Sequence, residues 1–215
     1  MTGYKFIGII SASFIFGFHM PKHSARSRRS LASRGSALIL LDVITNFEFE
    51  DGNALLKRTL PMARNLARLK LRAKKAAVPV IYVNDNFGSW QEDFKTMSEQ
   101  FVRADAKGRK VVELLKPESD DYYVLKPHRS AFYSTTLELL LRDLKIKTLL
   151  LTGITTDICV LFTANDAYMR GFELYVPADC VTTVKPTYSR QAMEFIERVL
   201  KANTRKSTEI SFSKK

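Results

Sequence analysis

Cysteine and histidine are scarce in this chain. Its 215 residues contain two cysteines and three histidines. Two cysteines do not make a disulfide framework. A nucleophilic cysteine usually passes its proton to a histidine, but His19 and His23 fall in the N-terminal stretch described next. The scarcity therefore excludes a Cys-His-Asp site unless His128, the histidine that remains, supplies it.

Long hydrophobic runs are also missing. The apolar run at residues 6–18 is too short to span a bilayer comfortably, which takes about 20 residues. A cleaved signal peptide carries its basic residues mainly before such a run, whereas here most follow it. An organelle transit sequence, or a disordered extension that precedes a true start at Met20, are the other interpretations. We place residues 1–35 outside the fold and expect a cytoplasmic protein whose folded domain contacts no membrane.

Acidic residues are absent from the first 35 positions, and this shapes the net charge of +12. Six basic residues lie there, and residues 205–215 add four against one acid. Between residues 36 and 204 the balance is 24 basic to 21 acidic residues, so this part carries only +3. The sequence has no zinc-finger or RNP-like pattern. We expect one domain at residues 36–204, a polar tail at 205–215 and no nucleic-acid partner.

Apolar runs alternate with helical patterns from residue 36 onward, which is typical of an α/β fold with a parallel sheet covered on both faces. Apolar runs predict strands at residues 37–41, 78–83, 122–125, 148–151 and 174–176, with a short one at 208–212. Helical spacing predicts helices at residues 54–77, 134–143, 157–170 and 187–202. Pro61 is expected near the first turns of the first helix or at a break in it.

Three polar residues follow strands of this predicted sheet. Asp42 comes after the first strand, Lys126 after the third, and Cys159 after the glycine turn that ends the fourth. Ligands bind beyond the carboxyl ends of parallel strands. Taken singly, Asp42 could cap a loop, Lys126 could extend to solvent and Cys159 could pack as a small apolar residue. Together they form a site that needs no histidine, with Asp42 as proton acceptor and Lys126 as the charge that lowers the thiol pKa. The start of a helix at Cys159 also favours the thiolate.

Five segments resemble the isochorismatase-like cysteine hydrolases. The segments are Leu41-Asp42 with Asn46-Phe47, residues 79–86, residues 126–132, Gly153-Ile-Thr-Thr-Asp-Ile-Cys159-Val, and residues 164–168. The resemblance implies a three-layer fold with a mainly parallel, Rossmann-like sheet of about six strands. It implies that Asp42, Lys126 and Cys159 form the catalytic triad. It also implies a cis peptide between Ile154 and Thr155, and an oxyanion hole formed by the N–H groups of Thr155 and Cys159.

Departures from the family narrow the expected chemistry. Members that act on nicotinamide bind a metal through an aspartate and several histidines after the second strand, whereas this chain has Asn84-Asp85-Asn86 and no histidine nearby. We therefore expect no catalytic metal and no cofactor. Retention of Cys159 favours hydrolysis of an amide or carbamoyl C–N bond through a thioester. The alternatives are a non-catalytic scaffold of the same fold and vinyl ether hydrolysis of the isochorismatase type.

The expected partner is a small-molecule substrate, and the resemblance suggests a homo-oligomer, a dimer or a tetramer. Loops after the strands supply the candidate substrate contacts, for which an apolar wall with few polar groups suits a small flat molecule. These candidates are Phe47, Asn86, Trp90 and Phe132. For each aromatic residue, packing in the core is at least as good an explanation.

Overall fold

The computed structural model describes residues 31–32, 35–86, 88, 99 and 106–213. Its main sheet is entirely parallel, with the order β4-β3-β2-β5-β6, and β7 pairs with the end of β5. The strands are β2 (Ser36–Leu41), β3 (Val80–Asp85), β4 (Tyr122–Lys126), β5 (Thr148–Ile154), β6 (Glu173–Tyr175) and β7 (Val181–Thr182). The expected six-stranded parallel sheet is therefore confirmed.

Helices cover both faces of the sheet, as the α/β pattern predicts. One face carries α1 (Gly52–Lys75) and α2 (Arg109–Leu114), and the other carries α3 (Leu137–Asp143), α4 (Leu161–Met169) and α5 (Pro186–Arg198). Successive side chains of a strand point to opposite faces. Leu38 and Leu40 accordingly join the core under α1, while Ile39 and Leu41 join the core under the other helices. Burial on both sides explains the continuous apolar runs of the strands.

The register aligns the carboxyl ends of the central strands. Leu41 at the end of β2 pairs with Val83 of β3 on one side and with Gly153 of β5 on the other. On the far side of β3, Asp85 pairs with Lys126 of β4. The residues that follow β2, β4 and β5 therefore converge on one edge of the sheet.

The bounds of some strands and helices differ from the prediction, because the residue pattern alone is a poor guide to where they begin and end. β3 begins and ends two residues later than predicted, which brings Asn84 and Asp85 into the strand. Helix α1 runs through Pro61 without a break. Pro61 and Lys57, whose carbonyl loses its usual N–H donor, are both exposed to water. Helix α2 was not predicted, because six residues give too short a periodic pattern.

Segments at both ends of the described chain pack against α1. Leu31–Ala32 forms β1 and pairs in parallel with β8 (Phe212–Ser213). Arg72 of α1 donates hydrogen bonds to the carbonyl oxygens of Ile210 and Ser207, both at 2.7 Å. The predicted strand at 208–212 is instead a 3₁₀ turn at Ser207–Glu209 followed by β8.

Within the described residues, no helix is long and apolar enough to cross a membrane.

Candidate active site

Asp42 lies directly beyond β2 in a left-handed backbone conformation, with φ +52°. Aspartate tolerates this conformation better than most residues do. Its backbone N–H still donates to the carbonyl of Val83 at 3.0 Å, as if the strand continued. Its Oδ1 accepts the backbone N–H of Asp85 at 2.7 Å. The carboxylate is thereby fixed against the end of β3, and only 13% of the side chain is exposed.

Asn84 holds the loop that follows Asp42. Its fully buried side chain accepts the N–H of Ile44 at 3.2 Å and donates to the carbonyl of Ile44 at 2.8 Å. This paired hydrogen bond satisfies two backbone groups that would otherwise be costly to bury. Sequence reasoning missed Asn84 because the strand was predicted to end at Val83.

Lys126 is fully buried, and its ammonium group lies among three polar side chains. Nζ is 3.0 Å from Oδ2 of Asp42, 3.5 Å from Oδ2 of Asp85 and 3.7 Å from Sγ of Cys159. A buried ammonium group without partners would be expensive, so these contacts are needed to keep it charged. The lysine does not extend to solvent, which was the alternative raised from the sequence.

Cys159 lies in a π-helical turn, Thr156–Val160, that leads into α4. The carbonyl oxygen of Thr155 accepts the N–H groups of Ile158 at 3.2 Å and Val160 at 3.1 Å, the residues on either side of Cys159. The peptide bond between Ile154 and Thr155 is cis. The turn that contains the thiol thus begins directly beyond β5, and Thr155 connects the strand to the turn.

Gly153 lets β5 approach β2 closely at this point. Its φ is +107°, and a Cβ built on it would lie 2.1 Å from the carbonyl oxygen of Leu41. Both the conformation and the space therefore require glycine. The close approach brings the Cys159 turn next to Asp42, which follows Leu41.

Burial and charge decide the protonation states. The pKa of the Cys159 thiol is raised to about 12, chiefly by burial and also by the Asp42 carboxylate, while Lys126 opposes the rise. Burial raises the pKa of Asp42 as well, against the lowering effect of Lys126. Burial alone would lower the pKa of Lys126, but Asp42 and the other acidic neighbours outweigh it and raise that pKa. These directions favour an ammonium group at Lys126 and a protonated thiol at Cys159.

The raised pKa runs against the expectation that the helix start and Lys126 favour the thiolate. That expectation could not include the partial burial of Cys159 beside the Asp42 carboxylate, because the sequence does not show it. The arrangement instead sets a protonated thiol next to a carboxylate whose pKa is raised. Such a pair can transfer the proton when a reacting group needs the sulfur anion.

The side chains of the other predicted site residues make none of these contacts, although the backbone N–H of Asn86 donates to the carbonyl of Lys126 at 3.2 Å. Phe47 is fully buried in the core under α1, and Phe132 is 6% exposed in the opposite core, against Phe172 and Arg170. Asn86 is 8% exposed and uses its Oδ1 to accept the N–H of Gly88. Trp90 lies outside the described residues. His128 is exposed and its ring contacts Tyr133.

Asp85 is a site residue that the sequence did not single out. It supplies the N–H that holds Asp42 and a carboxylate that faces Lys126. The signal was present as a run of polar residues at the end of an apolar strand. Among the described residues, no group of three or more histidine, cysteine, aspartate and glutamate side chains could hold a metal ion.

The fold and the site define an α/β protein with a parallel sheet. A carboxylate, an ammonium group and a thiol meet at the carboxyl edge of that sheet. The isochorismatase domain model matches residues 36–206. The chain belongs to the isochorismatase family.

Relatives with assigned activities are amidohydrolases. The chain is 37% identical over 170 residues to the uncharacterized isochorismatase family protein YaaI of Bacillus subtilis, covering 79% of this chain and 93% of that protein. It is 32% identical over 151 residues to the ureidoacrylate amidohydrolase RutB of Methylorubrum extorquens, covering 60% of each. The crystal structure of N-carbamoylsarcosine amidase from Thermoplasma acidophilum matches with a TM-score of 0.62 and 26% identity, covering 81% of this chain and 98% of that one.

Proposed function

We propose that this protein is a cysteine hydrolase that cleaves an amide or carbamoyl C–N bond of a small molecule through a thioester. The observation that carries the proposal is the position of the Lys126 ammonium group, 3.0 Å from Asp42 and 3.7 Å from Cys159. This cluster combines a nucleophile, a proton acceptor and a fixed positive charge. Those are the groups that acyl transfer through sulfur requires.

In the first half of the reaction, Asp42 takes the proton of the Cys159 thiol as the sulfur attacks the substrate carbonyl carbon. As the proton moves, the negative charge passes from the Asp42 carboxylate to the sulfur, where Lys126 stabilises it. The N–H groups of Thr155 and Cys159 hold the oxyanion that forms on the carbonyl oxygen. When the tetrahedral intermediate collapses, the C–N bond breaks and the leaving nitrogen takes the proton from Asp42. Ammonia or an amine departs and a thioester remains.

The second half uses the same groups again. Asp42, again a carboxylate, takes a proton from a water molecule that attacks the thioester carbonyl carbon. The C–S bond breaks, the sulfur recovers a proton from Asp42, and the acid product leaves. One carboxylate therefore serves twice as base and twice as acid, and a raised pKa suits a group that must both accept and return a proton.

The relatives support the reaction class. The ureidoacrylate amidohydrolase and the N-carbamoylsarcosine amidase named above both act on C–N bonds next to a carbonyl. A small-molecule hydrolase is also consistent with the modest net charge of the folded part. We keep vinyl ether hydrolysis and a non-catalytic scaffold as the outcomes that the experiment below must exclude.

The two cysteines provide a matched test. Cys180 is fully buried in the core under α1, where its thiol interacts with Asp179 and Ser207. Turnover of a panel of primary amides and carbamoyl compounds is measured for the wild type, Cys159→Ala and Cys180→Ala. We expect Cys159→Ala to abolish turnover, and Cys180→Ala to keep it. Equal turnover in the wild type and Cys159→Ala would remove the thioester mechanism, and a wild type that hydrolyses nothing in the panel would favour the scaffold or vinyl ether hydrolysis.

A further inference from the structure

The loop that follows Lys126 is bound to the helix that follows Cys159. The backbone N–H of Ala131, in that loop, donates to Oγ1 of Thr163 in α4 at 3.0 Å. Both residues are fully buried. A buried N–H group without an acceptor is costly, so this bond holds the loop firmly against the helix.

A second hydrogen bond joins the same loop and helix. The hydroxyl group of Ser130, whose residue is 6% exposed, donates to Oδ2 of Asp166 in α4. The same hydroxyl oxygen accepts the backbone N–H of Phe132 at 3.2 Å. The other carboxylate oxygen of Asp166 accepts an N–H of Arg170 at 2.9 Å, which orients the carboxylate. Two successive residues of the loop are therefore held by side chains of α4.

These bonds connect parts of the site that the sheet keeps apart. The strand order places β3 and β2 between β4, which ends at Lys126, and β5, which leads to Cys159. Thr163 lies about one helical turn beyond Cys159. Its bond to Ala131 therefore connects the element that carries the ammonium group to the element that carries the sulfur.

The ammonium group has closer partners than the sulfur. Asp42 and Asp85 contact it at 3.0 Å and 3.5 Å, while Sγ of Cys159 is 3.7 Å away. If the loop and the helix moved apart, Lys126 would stay with the carboxylates and its distance to the sulfur would increase. The attraction between the ammonium group and the sulfur anion weakens with that distance.

We propose that Thr163 is a positioning residue whose bond to the loop keeps the Lys126 ammonium group next to the Cys159 sulfur. Asp166 supports this role through Ser130. The step that benefits is the attack, during which negative charge develops on the sulfur. This inference rests on the proposed function, because it assigns Thr163 to the step in which Cys159 reacts.

Thr163→Val tests the bond, because valine has nearly the shape of threonine and lacks the hydroxyl acceptor. The rate of Cys159 alkylation by iodoacetamide is measured at one pH below the thiol pKa, with Cys180→Ala in every protein. We expect Thr163→Val to slow alkylation about tenfold, which corresponds to a rise of about one in the thiol pKa. Thr163→Ser keeps a hydroxyl group at this position and should recover most of the rate.

Thr59→Val is the matched control. Thr59 is also a fully buried threonine in a helix, and its hydroxyl donates to the carbonyl of Leu55 at 2.9 Å. It lies in α1, on the other face of the sheet. Thr59→Val therefore loses one hydrogen bond of a buried threonine without touching the loop after Lys126. Its Cys159 should be alkylated at the wild-type rate.

Two further variants separate positioning from a general structural role. A site that merely loosened would expose the sulfur and speed its alkylation, so the direction of the change is informative. In Lys126→Met, adding Thr163→Val should cause no further slowing, because the ammonium group is already absent. Asp166→Ala removes the second bond from a side chain that is 37% exposed, and it should slow alkylation in the wild-type background. If Thr163→Val does not fold, Asp166→Ala decides the test alone.

The role of Thr163 would be overturned by an unchanged or faster rate in Thr163→Val, or by equal slowing in Thr59→Val. Thr163→Ser as slow as Thr163→Val, or full slowing in the Lys126→Met background, would also overturn it. Alkylation needs no substrate, so this result does not depend on turnover. Failure of the proposed function appears separately, as Cys159→Ala turning over amides like the wild type.

Discussion

The Asp42 carboxylate and the Lys126 ammonium group lie 3.0 Å apart, and the lysine side chain has no exposed surface. A buried ion pair of this kind contributes little net stability, because both charges lose their hydration. Here the pair lies against Cys159, so both charges act on the sulfur. The two partners act on the thiol pKa in opposite directions, which makes their roles separable by experiment.

Replacing Asp42 by asparagine separates nucleophilicity from turnover. Removal of the carboxylate charge takes away one cause of the raised pKa of Cys159, while Lys126 still favours the thiolate. We expect Asp42→Asn to lose amide turnover, since the proton acceptor is gone. Its Cys159 should nevertheless react with iodoacetamide at lower pH than in the wild type. The alkylation rate is measured against pH, with Cys180→Ala in both proteins. Retained turnover, or a shift to higher pH, would contradict the assignment.

Replacing Lys126 by methionine has the opposite effect on the thiol. The positive charge that opposes the raised pKa disappears, so alkylation of Cys159 should require higher pH. The carboxylate of Asp42 is left buried without its partner, which typically costs about 3 kcal/mol of unfolding free energy. Urea denaturation checks this value. Adding Asp42→Asn to Lys126→Met should recover part of the loss, and a double variant no more stable than Lys126→Met would refute the coupling.

The decrease of kcat/KM at low pH should follow the protonation of Asp42. The carboxylate must be unprotonated to accept the thiol proton, and burial raises its pKa above the ordinary value. Turnover therefore falls as pH decreases through this raised pKa, sooner than an ordinary aspartate of pKa about 4 would allow. The dependence of kcat/KM on pH measures the limb. A rate that stays constant down to the ordinary aspartate pKa would exclude Asp42 as the base.

Asn84→Asp tests the support of the Asp42 loop. A carboxylate can accept the N–H of Ile44 but cannot donate to its carbonyl, so one buried hydrogen bond is lost. The expected cost is about 1 to 3 kcal/mol, with a drop in turnover because the loop begins directly after Asp42. The exposed Asn53 provides the control, since Asn53→Asp makes the same chemical change without burial. Equal stability of the two variants would argue against this role of Asn84.

Gly153→Ala tests the close approach of β5 and β2. The added Cβ would meet the carbonyl oxygen of Leu41 at 2.1 Å, so the strands must separate next to Asp42. We expect lower thermal stability and a loss of turnover. Gly171 also has positive φ, at +79°, but its Cβ would meet nothing within 4 Å. Gly171→Ala should therefore lose only the stability that positive φ costs an alanine, and it should keep its turnover. Similar turnover losses in both variants would contradict the steric explanation.

The strands and the convergence of Asp42, Lys126 and Cys159 could be predicted because both follow from local patterns. Apolar runs define buried parallel strands, and residues at their carboxyl ends meet at one edge. The roles of Asn84 and Asp85 could not be predicted in the same way. They depend on β3 ending two residues later than its apolar run, and on contacts with the loop after β2 and with the last residue of β4.

The protonation state of the Cys159 thiol could not be predicted from the sequence either. Position at a helix start and proximity of a lysine both favour the thiolate, and both can be read from the order of residues. Burial and the closeness of the Asp42 carboxylate act in the opposite direction, and they depend on three-dimensional packing. Which influence dominates is decided by distances that only the folded chain provides.

The covalent intermediate tests the central claim most directly. The wild type is mixed with the amide and carbamoyl panel, stopped in acid during turnover and analysed by mass spectrometry of its cysteine peptides. We predict an added acyl mass on the Cys159 peptide and none on the Cys180 peptide, with no adduct at either position in Cys159→Ala. Substrate turnover without an adduct on Cys159, together with undiminished turnover by Cys159→Ala, would contradict the account.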